Sequence, residues 1–275
     1  MSVAGGLTNA VDRAIEVDSN VLQIFVKNAS RWIGPELTDE AVGEFRASRE
    51  SAKLKCVTAH ASYLINLATP AEELWVKSVD AFVNELERCE RLGVEYLVVH
   101  PGAHVGSGEE QGIARIAEAI ERIHSRTEGY NVRIALETTA GQGTTLGYRF
   151  EHFRDLFALV RRPDLLEICG DTCHLFAAGY DLRNGEEFER VLDDFDRCIG
   201  MEKLKVFHLN DSKRELGSCV DRHEHIGKGC IGLEGFRCLM NDDRLSSVPK
   251  ILETPKGDND EFDQINLDLL RSLVQ

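Results

Sequence analysis

The run Lys205-Val206-Phe207-His208-Leu209-Asn210-Asp211 shows how this chain is organised, because it is short, largely apolar and β-forming, and polar at its end. Such a run is typical of a strand buried on both faces of a parallel sheet. Six further runs have the same character: 21–26, 55–60, 96–100, 133–138, 166–171 and 250–254. The sequence therefore predicts seven parallel strands.

Segments with helical periodicity separate most of these runs: 35–52, 71–92, 109–127, 149–160 and 185–199, with a shorter one at 233–240 and a closing helix at 261–273. Alternating strands and helices favour an α/β fold, either a parallel sheet or a TIM (β/α)8-type barrel, and 275 residues suit the barrel. No linker interrupts the pattern, so we expect one domain, 1–275. A helix-like run, 7–16, precedes the first strand run, which predicts a barrel whose first strand is missing or truncated.

Composition excludes several classes of protein. Hydrophobic content of 43% and charged content of 29% are typical of a soluble globular chain, without a membrane span or secretion signal. The net charge of −15 argues against non-specific binding of nucleic acid through a basic surface, although bound divalent metals could reverse the field locally. Eight cysteines without a Cys-x-x-Cys pair favour reduced thiols, as in a cytosolic protein.

Six consecutive strand runs end at side chains that can bind a metal: His60, His100, Glu137, Asp171, His208 and Glu253. A lone His or Glu is usually a structural or solvated residue. Six in register are different, because all strands of a parallel barrel end at the same mouth, where active sites of this architecture lie. The pattern predicts a metal site at the C-terminal mouth of the strands.

Two further segments add ligands to this set. In Val220-Asp221-Arg222-His223-Glu224-His225-Ile226-Gly227-Lys228-Gly229, an Asp and a His two residues apart project the same way from an extended segment. A glycine-framed turn that holds a metal and a solvated polar loop are both open readings of this stretch. His174 follows Asp171 in a predicted loop, whereas the flanking Cys169 and Cys173 are interpreted as packing residues.

Nine candidate ligands, five His and four carboxylates, suit Zn, Mn or Fe and could serve two or three ions. Such a cluster indicates metal-assisted hydrolysis, with phosphoryl chemistry as our interpretation. There is no nucleophile elbow and no Walker loop, and Gly141-Gln142-Gly143 is interpreted as a turn beside Glu137.

The motifs that contain these ligands resemble those of the endonuclease IV family, the apurinic/apyrimidinic DNA repair endonucleases. They are His60-Ala61-Ser62-Tyr63-Leu64-Ile65-Asn66, His100-Pro101-Gly102, Glu137-Thr138-Thr139-Ala140-Gly141-Gln142-Gly143, Asp171-Thr172-Cys173-His174, His208-Leu209-Asn210-Asp211 and Asp221-Arg222-His223. The resemblance extends from about residue 5 to residue 253, in the family's order and spacing.

The resemblance implies three Zn2+ ions per chain. His60 and His100 would bind one zinc with Glu137, which would bridge to a second zinc held by Asp171, His208 and Glu253, and the third would be held by His174, Asp221 and His223. Glu137 and Glu253 would take part in activating water. The implied activity is that of a deoxyribonuclease IV-type hydrolase, which cleaves the phosphodiester 5′ to abasic sites in double-stranded DNA and trims blocked 3′ ends. We expect a monomer that does not bind membranes and is intracellular, in the cytoplasm or nucleoid, or in the nucleus of a eukaryote.

The resemblance also implies DNA contacts at Tyr63 and Asn66, with extrusion of the abasic nucleotide from the helix. Two departures from the family matter. Its first strand, with a His near the end, has no counterpart before Ser2, and Ser30 stands where the family usually has an Arg, so that Arg31 is the candidate substitute.

Two other functions remain open. Sugar isomerases and epimerases of the same barrel also place Glu, Asp and His at strand ends, around one or two metals, but do not need His174, Asp221 and His223. An inactive lesion-binding relative is the second alternative. The intact ligand set argues against it, because aligned buried polar groups are costly to keep without a function.

Overall fold

The computed structural model describes residues 1–256 and 261–275. The chain divides into two compact units, Met1–Leu136 with Ala158–Glu167, and Glu137–Phe157 with Ile168–Gln275. Two strands, Arg133–Glu137 and Leu166–Asp171, contribute residues to both units.

The first unit alternates helices and parallel strands. Its strands follow the order β1-β2-β3-β4, and the register pairs Val21 with Cys56, Thr58 with Tyr96 and Tyr96 with Arg133. Its elements are α1 (Thr8–Glu16), β1 (Val21–Ile24), α2 (Asp39–Ser51), β2 (Cys56–His60), α3 (Glu72–Leu92), β3 (Tyr96–Val99), α4 (Glu109–Arg126) and β4 (Arg133–Glu137).

Local sequence signals explain where these helices begin and end. The Thr38 hydroxyl accepts a hydrogen bond from the amide of Ala41 at 3.2 Å, so α2 begins at Asp39 rather than at Pro35 as predicted. Helix α3 ends at Gly93, whose φ of 72° is the left-handed conformation that glycine adopts readily. Between these ends α3 buries Trp75, Phe82 and Leu86 in the core.

The second unit contains three parallel strands in the order β5-β6-β9 and a short antiparallel pair, β7 and β8. The register places Asp171 beside His208 and His208 beside Ile251. Its elements are α5 (Phe150–Leu159, the last two residues in the first unit), β5 (Leu166–Asp171), α6 (Thr172–Ala178), α7 (Gly185–Cys198), β6 (Leu204–Leu209), β7 (Asp211–Ser212), β8 (His223–Glu224), α8 (Gly232–Asn241), β9 (Lys250–Leu252) and α9 (Glu261–Ser272).

The seven predicted strands are confirmed to within a few residues, and the described residues contain seven parallel strands, the first of which follows α1. The loop prediction for His174 is wrong, because this residue lies in the first turn of α6. The prediction that His223 lies in a glycine-framed turn is also wrong, because His223 begins β8 and pairs with Ser212 of β7. No helix of the described residues combines the length and apolar character that crossing a bilayer requires.

Candidate metal centre

In the first unit, two histidines lie at the C-terminal ends of the neighbouring strands β2 and β3. His60 is the last residue of β2 and is 4% exposed, and His100 directly follows β3. Their ring centroids are 5.5 Å apart and the rings meet edge to face. The Nδ1 atom of His60 lies 2.8 Å from the carbonyl oxygen of Ala61, the arrangement that directs Nε2 of a histidine toward a metal.

In the second unit, strand ends bring carboxylates and a histidine together. Glu137 and Asp171 end β4 and β5, His208 is the penultimate residue of β6, and Glu253 directly follows β9. Nδ1 of His208 is 3.0 Å from Oε1 of Glu137 and 3.2 Å from Oε2 of Glu253. One ligand atom from each of these four residues lies within 4.8 Å of the others.

Asp221 lies between two imidazoles. Its carboxylate oxygens are each 3.2 Å from a ring nitrogen, Oδ2 from Nε2 of His174 and Oδ1 from Nε2 of His223. Asp171 adds a second carboxylate, with Oδ2 3.9 Å from Nε2 of His223. Asp171 also accepts a hydrogen bond from the amide of His174 at 2.8 Å, so the cap of α6 places His174 beside the other candidate ligands.

The outer nitrogens of the two histidines fix the orientation of the rings. Nδ1 of His174 is 2.8 Å from the carbonyl oxygen of Thr138, and Nδ1 of His223 is 3.0 Å from that of Glu253. Nε2 of His223 is buried, and although Oδ1 of Asp221 lies 3.2 Å away, no described residue meets this nitrogen with hydrogen-bond geometry. A buried nitrogen without a partner is costly, and a cation held between this atom and the carboxylates would remove that cost. The donor set of His and carboxylate fits zinc.

The carboxylates dominate the electrostatics of this region. Burial opposes charge on His174, but Asp171, Asp221 and Glu137 outweigh burial and hold the pKa of His174 well above its ordinary value. For His223, burial again opposes charge, and Asp171 and Asp221 raise its pKa to about 9. Burial raises the pKa of Asp221, but the close contacts with the His174 and His223 rings lower it more strongly, to well below the usual range. The field attracts positive charge, whether protons or metal ions.

Two cysteines lie close enough to compete as ligands. Cys169 belongs to a group with Glu137 and His208, and Cys173 to a group with Asp221 and His223. Both are fully buried, in agreement with the packing interpretation, and burial raises the pKa of each thiol to about 12. Since a thiol must lose its proton to bind a metal, histidine and carboxylate are the favoured ligands.

Asn210 is a buried residue of this region whose role the sequence did not reveal. Its amide donates to Oδ2 of Asp171 at 2.6 Å, and its Oδ1 accepts from the amide of Glu253 at 3.0 Å. Asn210 is completely buried, so it orients two candidate ligands from a position that solvent does not reach. Thr138 acts similarly, since its hydroxyl accepts from the amide of Asp171 at 2.9 Å. The only sequence signal for this role of Asn210 is its position at the end of the apolar run that forms β6.

Asp211 anchors the segment that follows His223. Its carboxylate accepts hydrogen bonds from three backbone amides beyond β8, those of Gly229 at 3.0 Å, Ile231 at 2.9 Å and Gly232 at 3.3 Å. A side chain at Gly229 would collide with the carbonyl oxygen of Ser212 and with Asp211. The glycine therefore permits a close backbone approach rather than a tight turn around the ligands.

The residues predicted to contact DNA lie in loops of the first unit. Tyr63 is 67% exposed, and its ring packs against those of Phe25 and His60 at centroid distances of 5.6 and 5.7 Å. Arg31 is exposed. The side chain of Asn66 is engaged with the backbone of Ala103, donating to its oxygen and accepting from its amide, both at 2.9 Å.

Comparison with known proteins places the chain in a class. Residues 11–273 match the family model of the xylose isomerase-like TIM barrel, and the chain belongs to this family, which confirms the predicted fold class. It also aligns with D-psicose 3-epimerase from Clostridium cellulolyticum at a TM-score of 0.67 and 14% identity over 99% of this chain and 95% of that one, which shows the fold alone.

More similar proteins narrow the assignment. A protein of Chloroflexus aurantiacus named "Probable endonuclease 4" is 52% identical over 275 residues, which cover 100% of this chain and 96% of the relative. The crystal structure of endonuclease IV from Thermus thermophilus aligns at a TM-score of 0.86 and 39% identity over 99% of this chain and 96% of that one. The chain belongs to the endonuclease IV family, as its motifs predict.

Proposed function

We propose that this protein is a zinc-dependent DNA repair endonuclease that hydrolyses the phosphodiester 5′ to abasic sites in double-stranded DNA. The observation that carries the proposal is the Asp221 carboxylate between His174 and His223, 3.2 Å from Nε2 of each ring, where the buried Nε2 of His223 has no contact of hydrogen-bond geometry among the described residues. A sugar isomerase has no need for this group of residues. The names of the relatives, endonuclease 4 and endonuclease IV, support DNA as the substrate.

In this proposal three zinc ions bind per chain. His60, His100 and Glu137 would hold one, Glu137 with Asp171, His208 and Glu253 would hold the second, and His174, Asp221 and His223 would hold the third. When bound, zinc supplies Lewis-acid chemistry, polarising the phosphodiester and making water more acidic. Residues 1–275 would act as a single domain and a monomer inside the cell.

The protein's own residues prepare the reaction. Asn210 and Thr138 hold Asp171 in place, and backbone carbonyls fix the His174 and His223 rings. Glu253 has a side chain that is 25% exposed, while Glu137 is fully buried. Glu253 is therefore the carboxylate that can contact water from solvent and orient it, whereas Glu137 would act as a buried metal ligand.

Substrate contacts would come from the first unit. An exposed Tyr63 and an exposed Arg31 suit stacking on bases and binding phosphate, respectively. Asn66, engaged with Ala103, would contribute mainly by shaping the loop that bears Tyr63. An abasic nucleotide loses little stacking when it leaves the helix, which favours its extrusion over that of an intact nucleotide. Trimming of blocked 3′ ends is the related activity that we expect.

The test of this function is incision of a duplex that contains one tetrahydrofuran abasic analogue. We expect incision on its 5′ side by the zinc-loaded protein, and its loss in Glu253→Ala. Glu151→Ala removes an exposed carboxylate of α5 and serves as the control that retains activity. Absence of incision by wild-type protein with zinc fully bound would refute the proposal.

Metal content tests the ligand assignment separately. His223→Ala should lose one of three zinc ions and most activity while the fold, measured by circular dichroism, survives. His225→Ala removes a nearby histidine that bonds to Asn266, and should retain all three ions. Full zinc content in His223→Ala would show that the third site is assigned wrongly, and one or two exchangeable ions in the wild type would favour an isomerase.

A further inference from the structure

Two surface loops of the first unit share a buried anchor. The first loop (residues 25–38) joins β1 to α2 and contains Arg31, and the second loop (residues 61–71) joins β2 to α3 and contains Tyr63. The two loops expose large apolar side chains, since Ile33 is 83% and Tyr63 is 67% exposed. Exposed side chains that bind a substrate are effective only when the residues beneath them hold them in place.

Glu85 of α3 provides one carboxylate for both loops. Its Oε1 is 2.9 Å from Nζ of Lys27 in the first loop, and both side chains of this ion pair are 1% exposed. The backbone amide of Ser62, in the second loop, donates to the same carboxylate at 3.3 and 3.2 Å from its two oxygens. Glu85 thus ties the residue before Tyr63 to the residue four before Arg31.

Two further bonds extend this network into the backbone of the first loop. Nζ of Lys27 donates to the carbonyl oxygen of Arg31 at 2.6 Å. The hydroxyl of Ser62 donates to the carbonyl oxygen of Ala29 at 2.6 Å and connects the two loops directly. A shift of either loop therefore breaks buried hydrogen bonds in the other.

Arg88, one turn after Glu85 on α3, ties the ends of the first loop. Its Nε donates to the carbonyl oxygen of Val26 at 2.8 Å, and one terminal nitrogen donates to that of Pro35 at 2.9 Å. Gly34 leaves room for the network, since a Cβ there would lie 2.8 Å from Cβ of Lys27. Arg88 of α3 therefore holds the backbone near both ends of this loop.

A buried ion pair is a poor means of adding stability, because desolvation offsets most of the attraction and apolar replacements are often as stable. Its geometric effect is larger, since charge-assisted bonds fix distance and direction. We propose that Glu85 is a positioning residue that, with Lys27, holds the two loops in the arrangement in which they meet DNA. This inference rests on the proposed function, because it takes the loops to contact the substrate.

The test uses Glu85→Gln, the double variant Lys27→Met/Glu85→Leu, and the control Glu87→Gln, which changes an exposed carboxylate on the same helix. The double variant removes both charges without leaving one of them buried and unpaired, so it should lose less thermal stability than a variant that removes one charge alone. We expect both network variants to raise KM for the abasic duplex by roughly tenfold or more, because small misplacements of substrate-positioning groups have effects of this order. Zinc content and hydrolysis of the small diester bis(p-nitrophenyl) phosphate should be unchanged.

Tryptophan fluorescence reports on the first loop without any reaction. Trp32 lies in this loop with Nζ of Lys77 4.5 Å from its ring centroid, whereas Trp75, the other tryptophan, is fully buried. Acrylamide quenching of Trp32 should increase in both network variants and not in Glu87→Gln. If wild-type protein fails to incise DNA, the proposed function fails, but quenching still tests the coupling of the loops.

Two outcomes would overturn the inference. One is unchanged KM and unchanged quenching in the folded double variant. The other is a parallel loss of zinc, small-diester hydrolysis and thermal stability without a change in quenching, which would show a purely structural role. Should the Glu85 variants not fold, Ser62→Ala leaves the ion pair intact and removes the hydroxyl that bonds to Ala29 and Leu64. It gives the same readouts and is expected to change KM and quenching in the same direction.

Discussion

Replacing Asn210 by alanine probes how much the candidate metal centre depends on a residue that is not itself a ligand. The variant removes the 2.6 Å bond to the Asp171 carboxylate and the 3.0 Å bond to the amide of Glu253. A hydrogen bond to a charged group contributes about 1.5–3 kcal/mol and a neutral one about 1 kcal/mol. The sum predicts that the free energy of unfolding falls by about 2.5–4 kcal/mol, because Asn210 and Asp171 are both fully buried.

Loss of the same bond to Asp171 should weaken zinc binding by about 10- to 100-fold, as is typical when a partner of a ligand is removed. Urea unfolding of the zinc-free protein and zinc competition with a chromophoric chelator measure the two effects. The control is Asn131→Ala, which removes an equivalent amide-to-carboxylate bond, 2.9 Å to Glu90, at an exposed site and should change stability by no more than about 0.5 kcal/mol. Equal effects of the two variants on stability and on zinc affinity would refute the reasoning.

Two further predictions concern stability away from the ligands. His124→Leu should stabilise the protein by about 1 kcal/mol near pH 7.5, because both ring nitrogens of His124 are buried without hydrogen-bond partners among the described residues. Burial lowers the pKa of His124 below its unfolded value of about 6.5. Wild-type stability is therefore unaffected by this group above pH of about 6.5, and falls as the pH drops toward the folded pKa, because the unfolded state binds the proton more readily. The gain measured by urea unfolding should be larger near pH 5, and an equal gain at both pH values would contradict this sign. Gly229→Ala should destabilise the protein by about 2 kcal/mol or more, because the new Cβ would collide with Ser212. The control Gly43→Ala places a Cβ where no atom lies within 4 Å, and should be neutral or slightly stabilising. Similar unfolding midpoints for the two variants would show that the backbone at Gly229 moves to accept the methyl group.

The strands and most helices were predictable because their signals are local. Runs such as Leu166–Asp171 are buried on both faces, so apolar character alone marks them. Helix α6 escaped prediction because it has seven residues and begins on the cap formed by Asp171, which was interpreted only as a ligand. An Asp directly before a helical stretch is a start signal that could have revealed it.

The candidate site was predictable as a set of residue types but not as a hydrogen-bonded arrangement. That Asp171 and His208 end neighbouring strands follows from the βα pattern, and the register confirms it. The bond from Asn210 to Asp171 depends on the relative height of those strands, which residue order does not specify. The pairing of His223 with Ser212 likewise arises from two-residue strands that are too short for a periodic signal.

Asp171 both caps α6 and lies among the candidate metal ligands, whereas Asp221 has a side chain that is 40% exposed and, within the described part of the chain, caps no helix. The two positions should therefore differ in how well they tolerate substitution during evolution. A change at Asp171 loses a helix start together with a ligand, and selection for folding alone would remove it. A change at Asp221 should leave the scaffold intact, so, in the arrangement proposed above, binding at His174, Asp221 and His223 could be lost without loss of the barrel.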